Sequence, residues 1–368
     1  MPSRQRSMRS KTSRRGLNKE TGSIASIGSK GPAQRADTIL AAKPPPTPRN
    51  PQNPSNLISR EVSYPFMMEA WNKESEMQGA LQSLLIMEGG AMRGLFTAGV
   101  LDAFMEEGLY FPCSMGISAG SMQGLCYLAH QSGRSLRMNT RFAKDPRYMG
   151  LRHLVKRGSY FNFHFIFGEL SESIDPYDFP AAEKAEETLY IIMTDAFTGK
   201  PVYVSSRSCT VREFFKISEA SCSIPLFSRP VPLKDSVYVD GGIGMPFVPL
   251  PEELPAPCRK PVYILTRDRN YRKKPVPAGF HALLSLLYGK DYPRVVREMC
   301  AIPAIYNEKV EKLLSLEKEG RVFVIRPKKP VVVSRTEKDV EKLRALHKEG
   351  YEAGLACHED LMRWLHET

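Results

Sequence analysis

Leu84-Leu85-Ile86-Met87 is a tight apolar run that predicts a short buried strand over 84–88. Polar and glycine residues follow it. Apolar positions then return at Leu95, Ala98, Val100, Leu101, Phe104 and Met105, a spacing that predicts a helix over 93–107, ended by Gly108. Phe111 to Met115 reads as a second short buried strand. A second helix opens at Ser118, and its Gly120 and Gly124 let it lie close to a sheet. This strand–helix–strand–helix pattern predicts an α/β fold with parallel strands and helices on the faces. Further strands are predicted at 189–193, 202–204, 237–239 and 262–266, and a helix at 211–217. Beyond Tyr271 the pattern becomes mainly helical, over 281–288, 292–316 and 337–366, with one strand at 322–325.

The segment before the first strand lacks such patterning. The chain has 368 residues and a formal net charge of +12. Its first 60 residues hold 12 Lys/Arg against 2 Asp/Glu, leaving 40 against 38 for the rest, so the basic excess belongs to the start of the chain. That distribution removes the nucleic-acid reading that a high net charge invites. Residues 1–78 are rich in Ser, Pro, Arg and Lys and predict a disordered tail. No stretch there resembles a secretory signal. The Arg- and Ser-rich start faintly resembles a transit peptide, and a translation start at Met67, Met68 or Met77 is the plainer reading. The seven cysteines form no Cys-x-x-Cys pair, as expected of reduced thiols in a cytoplasmic protein. No apolar run approaches the roughly 18 residues needed to span a bilayer.

Three motifs carry candidate chemistry. Glu88-Gly89-Gly90-Ala91-Met92-Arg93-Gly94 is a glycine-rich turn after the first strand. It fails as a Walker loop, because Leu95-Phe96 follow Gly94, and as a dinucleotide fingerprint, because Ala91 interrupts it. Its backbone N–H groups could instead converge on an oxyanion. Gly116-Ile117-Ser118-Ala119-Gly120 is a Gly-x-Ser-x-Gly, the pattern of a nucleophile elbow. Asp240-Gly241-Gly242 follows a short strand and a proline-rich approach.

In this order the three motifs resemble those of the patatin-like phospholipases, over roughly Leu84 to Leu250. The resemblance implies a three-layer α/β fold with a mostly parallel central sheet and helices on both faces. It implies Ser118 as nucleophile and Asp240 as proton acceptor, without histidine. The loop Gly89, Gly90, Ala91, Met92, Arg93 and Gly94 would be the oxyanion hole, and Gly116, Gly120, Gly241 and Gly242 the motif glycines. The chain departs from the commoner Asp-Gly-Gly-Gly at Glu88 and Ala91, and alanine keeps its backbone N–H. The implied activity is lipid acyl hydrolysis through a covalent acyl-enzyme, with a lipid or fatty-acyl ester as partner, peripheral contact with a membrane allowed, and no metal or cofactor. The expected organisation is a tail (1–78), a serine hydrolase domain (79–270) and a mainly helical extension (271–368) similar to that of some bacterial patatin-like proteins.

Two other readings compete. An α/β-hydrolase would use a Ser–Asp–His triad, with His281 as its histidine. Only 28 positions separate Gly90 from Ser118, few for that fold. A non-enzymatic lipid-binding or scaffold protein would use the basic tail. Among other aspartates, Asp102 reads as a solvated face residue and Asp195 as a turn cap. Arg93 reads equally as a charge at the site or as a surface helix residue. Lys156 to Phe167 concentrates aromatic rings. Core packing is the first expectation, with Phe161, Phe163, Phe165 and Phe167 on one strand face, and an acyl-binding wall or a membrane-facing lip the second.

Overall fold

Strand β1 (Leu81–Met87) lies at the centre of a mixed sheet, where its apolar run Leu84-Leu85-Ile86-Met87 suits burial on both faces. The computed structural model describes residues 81–234 and 236–367, so the basic segment 1–78 and the alternative start methionines lie outside the described residues. A 3-10 turn, Ala91–Gly94, leads from β1 into helix α1 (Leu95–Glu106). Strand β2 (Cys113–Ile117) follows, then α2 (Ala119–Leu128), α3 (Arg134–Phe142) and α4 (Leu151–Arg157). β2 begins two residues later than the apolar pattern suggests. Pro112 lacks the N–H that a ladder position needs, although its carbonyl still accepts from Thr188.

After a helical stretch at 163–174 come α5 (Phe179–Lys184), β3 (Thr188–Asp195), β4 (Pro201–Ser205) and α6 (Val211–Ser221). Thr210 and Glu213 close a reciprocal capping box at the start of α6. β5 (Val231–Leu233), β6 (Ser236–Asp240) and the single turn α7 (Gly241–Gly244) precede β7 (Cys258–Ile264). The chain then adds α8 (Ala278–Tyr288), α9 (Pro293–Lys318), β8 (Phe323–Ile325) and α10 (Val340–His366).

Among the described residues the sheet order is β5-β6-β3-β2-β1-β7-β8, with β4 also paired to β3. β3, β2, β1, β7 and β8 run parallel, and β4, β5 and β6 join by antiparallel pairing. One sheet face places Leu85, Met87, Leu189, Ile191, Val262 and Ile264 in a core shared with α1 and with Leu343, Leu346 and Leu361 of α10. The opposite face places Leu84, Ile86, Met115, Ile117 and Tyr263 against Tyr306, Val310 and Leu313 of α9. Side chains of this size contribute roughly 1.5–3 kcal/mol each when fully buried. The C-terminal helical region is therefore built into both layers, and β8 extends the sheet.

Helix α10 lies against α1 at backbone distance. A Cβ on Gly350 would sit 2.0 Å from the Phe96 carbonyl oxygen, and one on Gly99 would sit 2.0 Å from that of His347. Asp102, read from the sequence as a solvated residue, is buried in this seam. Its carboxylate meets His347 Nε2 at 2.7 Å and accepts the Gly133 N–H at 2.8 Å.

Candidate active site

The parallel pairing of β1 with β2 aligns Met87 with Gly116, so the loops leaving both strands emerge side by side. Ser118 occupies the turn between β2 and α2 at φ 53° and ψ −120°, a conformation that costs a non-glycine residue about 1–3 kcal/mol. Surrounding bonds hold it there. The Ser118 N–H donates to Ser221 Oγ at 2.9 Å, Ser221 Oγ donates to the Ile192 carbonyl at 2.6 Å, and Ser121 Oγ donates to the Ser118 carbonyl at 2.7 Å. Helix α2 approaches β1 so closely that a Cβ on Gly120 would lie 2.4 Å from the Met87 carbonyl oxygen. The glycine-rich loop rests on the serine itself, since a Cβ on Gly89 would lie 3.1 Å from Ser118 Cβ.

The loop's own hydrogen bonds use the N–H groups of Glu88, Met92 and Arg93. They donate to the carbonyls of Ile264, Arg335 and Gly90 at 3.0, 3.5 and 3.2 Å. Those of Gly89, Gly90 and Ala91 take no part in these bonds. Gly94 ends the 3-10 turn and packs on Ala119. Glu88 is buried and tied to the end of β7, accepting from the Thr266 N–H at 2.6 Å and hydroxyl at 3.0 Å, and from the Tyr306 hydroxyl at 3.1 Å.

Asp240 ends β6 beside β3 and is 4% exposed. Its Oδ1 accepts the Gly242 N–H at 2.8 Å, while among the described residues its buried Oδ2 has no hydrogen-bond partner. Gly241 packs on the Ile192 carbonyl, the group that also anchors Ser221. The Ser118 hydroxyl is close enough to favour the charged carboxylate, though not in hydrogen-bond geometry with Oδ2. Burial raises the Asp240 pKa from 3.8 to about 6; the Ser118 hydroxyl, the Gly242 N–H, Arg335 and Lys273 all pull the other way. The result is a serine facing a buried carboxylate of increased basicity.

Two cavities flank Ser118. The first, of about 100 Å³, is mostly apolar and includes Met122, Met138, Phe161, Phe163, Phe167 and Phe215 in its wall. The second, of about 360 Å³, joins the glycine loop and Asp240 to Arg93, Arg267, Lys273 and Arg335. Arg93 is thus no surface residue. It is 7% exposed, and burial together with Arg267 and Arg335 lowers its pKa to about 10.

Residues 85–251 match the family model described as Patatin-like phospholipase. Over this span the chain is similar to the patatin-like phospholipases. Residues 292–366 match a second model, Domain of unknown function (DUF6363). Over 164 residues the chain is 28% identical to Uncharacterized protein YjjU of Escherichia coli (strain K12), covering 43% of this chain and 45% of the relative. The match thus spans less than half the relative's length. The fold also aligns with VipD from Legionella pneumophila, with a TM-score of 0.36 and 12% identity over 77% of this chain and 66% of that one.

The other sequence candidates take different places around Ser118 and Asp240. His281 is exposed on α8 and lines neither cavity. Asp195 caps its turn, with Oδ1 accepting from the Phe197 and Thr198 N–H groups at 3.0 and 2.8 Å. The aromatic run is helical rather than a strand, because Asn162 caps the turn at Phe163–Phe165 with its side-chain oxygen. Phe165 packs edge-on against Phe142 in the core, whereas Phe161, Phe163 and Phe167 reach the apolar cavity. Sequence reasoning missed Arg267, Lys273 and Arg335. Arg267 follows Thr266 beyond the C-terminal end of a parallel strand, where α/β sheets place their ligands, and that rule could have flagged it. Lys273 and Arg335 lie in irregular segments and carry no local signal.

Among the described residues no group of three His, Cys, Asp or Glu is placed to hold a metal ion. None of the described helices is long and apolar enough to cross a membrane.

Proposed function

We propose that the protein is a lipid acyl hydrolase in which Ser118 and Asp240 act as a catalytic dyad. The observation that carries this reading is the buried, unpartnered Oδ2 of Asp240 next to a strained serine. A buried acceptor without a partner is costly, and it is what a base awaiting a proton requires. Long or misaligned bonds are common at catalytic pairs before substrate binds.

In the proposed reaction Ser118 Oγ attacks the ester carbonyl carbon while its proton passes to Asp240 Oδ2. The carbonyl oxygen becomes an oxyanion, held by the N–H groups of Gly89, Gly90 and Ala91. A donor of this kind is worth roughly 2.7–4 kcal/mol. Collapse breaks the ester C–O bond, and the proton moves from Asp240 to the leaving alkoxide. Water then attacks the acyl-serine, gives its proton to Asp240, and releases the fatty acid as Ser118 recovers its hydrogen. The apolar cavity takes the acyl chain. Ser118→Ala should remove turnover of a short soluble ester without changing the circular dichroism spectrum. Wild-type turnover in that variant would remove the proposal.

A further inference from the structure

The larger cavity holds more positive charge than its carboxylates balance. Arg93, Arg267, Lys273, Lys274 and Arg335 line it, against Glu88 and Asp240. Glu88 already accepts from Thr266 and Tyr306, and Asp240 from Gly242. Among the described residues none of Arg93, Arg267, Lys273 and Arg335 makes an ion pair with a carboxylate. Among the described residues Arg93 Nε, in a side chain 7% exposed, has no hydrogen-bond partner. Clustered, partly desolvated cations in excess of their counter-charges are unfavourable unless an anion joins them.

The cavity is also poorly suited to a cationic headgroup. A quaternary ammonium needs a free aromatic face. The two tyrosine faces nearest these cations are covered, Tyr271 by the Arg267 guanidinium at 4.3 Å and Tyr306 by Lys273 Nζ at 4.1 Å. Arg267, Lys273 and Arg335 all lie after residue 251, where the patatin match ends, and Arg335 lies inside the match to the domain of unknown function. The Arg335 carbonyl also accepts the Met92 N–H, which ties this region to the glycine loop.

We propose that this cavity is a subsite for a phosphomonoester carried by the substrate near its scissile acyl ester, and that the chain after residue 251 thereby sets headgroup selectivity. The subsite rests on Ser118 being the nucleophile, since Ser118 is common to both cavities. The acyl chain enters the apolar cavity while the phosphate is drawn into the basic one. A dianion suits the unpaired cations better than a phosphodiester, and much better than a zwitterion.

The test uses the full chain and three soluble esters with identical acyl groups: dihexanoylglycerol 3-phosphate, dihexanoylglycerophosphocholine and dihexanoylglycerol. Wild-type kcat/KM should favour the phosphomonoester at least tenfold over both others. Arg335→Ala, at an exposed position where folding is not at stake, should lower that preference at least fivefold, and Lys273→Met should do the same. In the Ser118→Ala protein, glycerol 3-phosphate should bind saturably by calorimetry and lose at least tenfold in affinity when both cations are replaced. It should also inhibit wild-type turnover competitively. Ser118-dependent turnover without headgroup preference would overturn the subsite and leave the hydrolase reading standing. Glycerol 3-phosphate binding that needs Arg335 and Lys273, in a protein that cleaves no ester, would keep the anion site and overturn the hydrolase reading. Inhibition that is not competitive would overturn the subsite by placing the phosphate elsewhere.

Discussion

Replacing Asp240 by asparagine should make the protein more stable while removing its activity. The carboxyl pKa rises on folding from 3.8 to about 6, chiefly through burial, so holding the charge in the folded state at pH 8 costs about 3 kcal/mol. The sign follows from the direction of the shift. A group whose pKa is raised by folding contributes its stability below the unfolded value and loses it as pH climbs through the folded one. At pH 4 the same two values leave a cost of only about 0.5 kcal/mol. Asparagine is neutral throughout, and its Oδ1 still accepts the Gly242 N–H, a bond of 2.8 Å in the native protein. Its amide nitrogen takes the place of Oδ2 beside Ser118, and incomplete pairing there subtracts part of the gain. The expected net stabilisation is about 1–3 kcal/mol at pH 8, read as the shift in a reversible denaturant midpoint. It should shrink below about 1 kcal/mol at pH 4. Activity should fall at least about 100-fold, the low end for loss of a general base. A variant less stable than wild type at pH 8, or one whose gain is the same at pH 4, would refute the claim that Asp240 carries a destabilising buried charge.

Three further outcomes follow from the same geometry. Because Asp240 must be ionised to accept a proton, kcat/KM should fall about tenfold per pH unit below pH 6, and a profile flat down to pH 4.5 would remove Asp240 as the base. Replacing Phe163 and Phe167 together by serine should depress long-chain esters at least tenfold more than a butyrate ester, since both rings border the apolar cavity and each buried CH₂ is worth about 0.8 kcal/mol; equal losses would return the rings to a purely structural role. Gly350→Ala should destabilise by about 1–3 kcal/mol, because its Cβ would meet the Phe96 carbonyl at 2.0 Å, whereas Gly279→Ala, with nothing within 4 Å, should not. Equal chemical-denaturation midpoints for these two variants would contradict the close seam between α1 and α10.

What could be read from the chain was what is local. The order of strand, glycine turn, helix and Gly-x-Ser-x-Gly fits within 40 residues, so the pattern that names the elements also brings the loop beside the serine. Asp240 was legible because two glycines follow a strand end. Features made by distant parts of the chain were not legible. Asp102 looks solvated on its own helix, and its partner His347 lies 245 residues further on. Arg335 reaches the site because β8 joins the sheet and α10 folds back on α1, and no local periodicity encodes that return. The aromatic run misled in another way. Its period of two fits a strand, but the Asn162 cap and the packing of Phe165 on Phe142 select a helical turn instead.

In the proposed reaction Ser118 carries the acyl group during turnover. The most direct measurement is intact-protein and peptide mass spectrometry after rapid acid quench with a slowly deacylating ester, run beside fluorophosphonate labelling. A single acyl adduct should map to the peptide containing Ser118, disappear in Ser118→Ala, and be blocked by prior phosphonylation. An adduct on another residue, or full turnover by Ser118→Ala with no adduct on either protein, would contradict it.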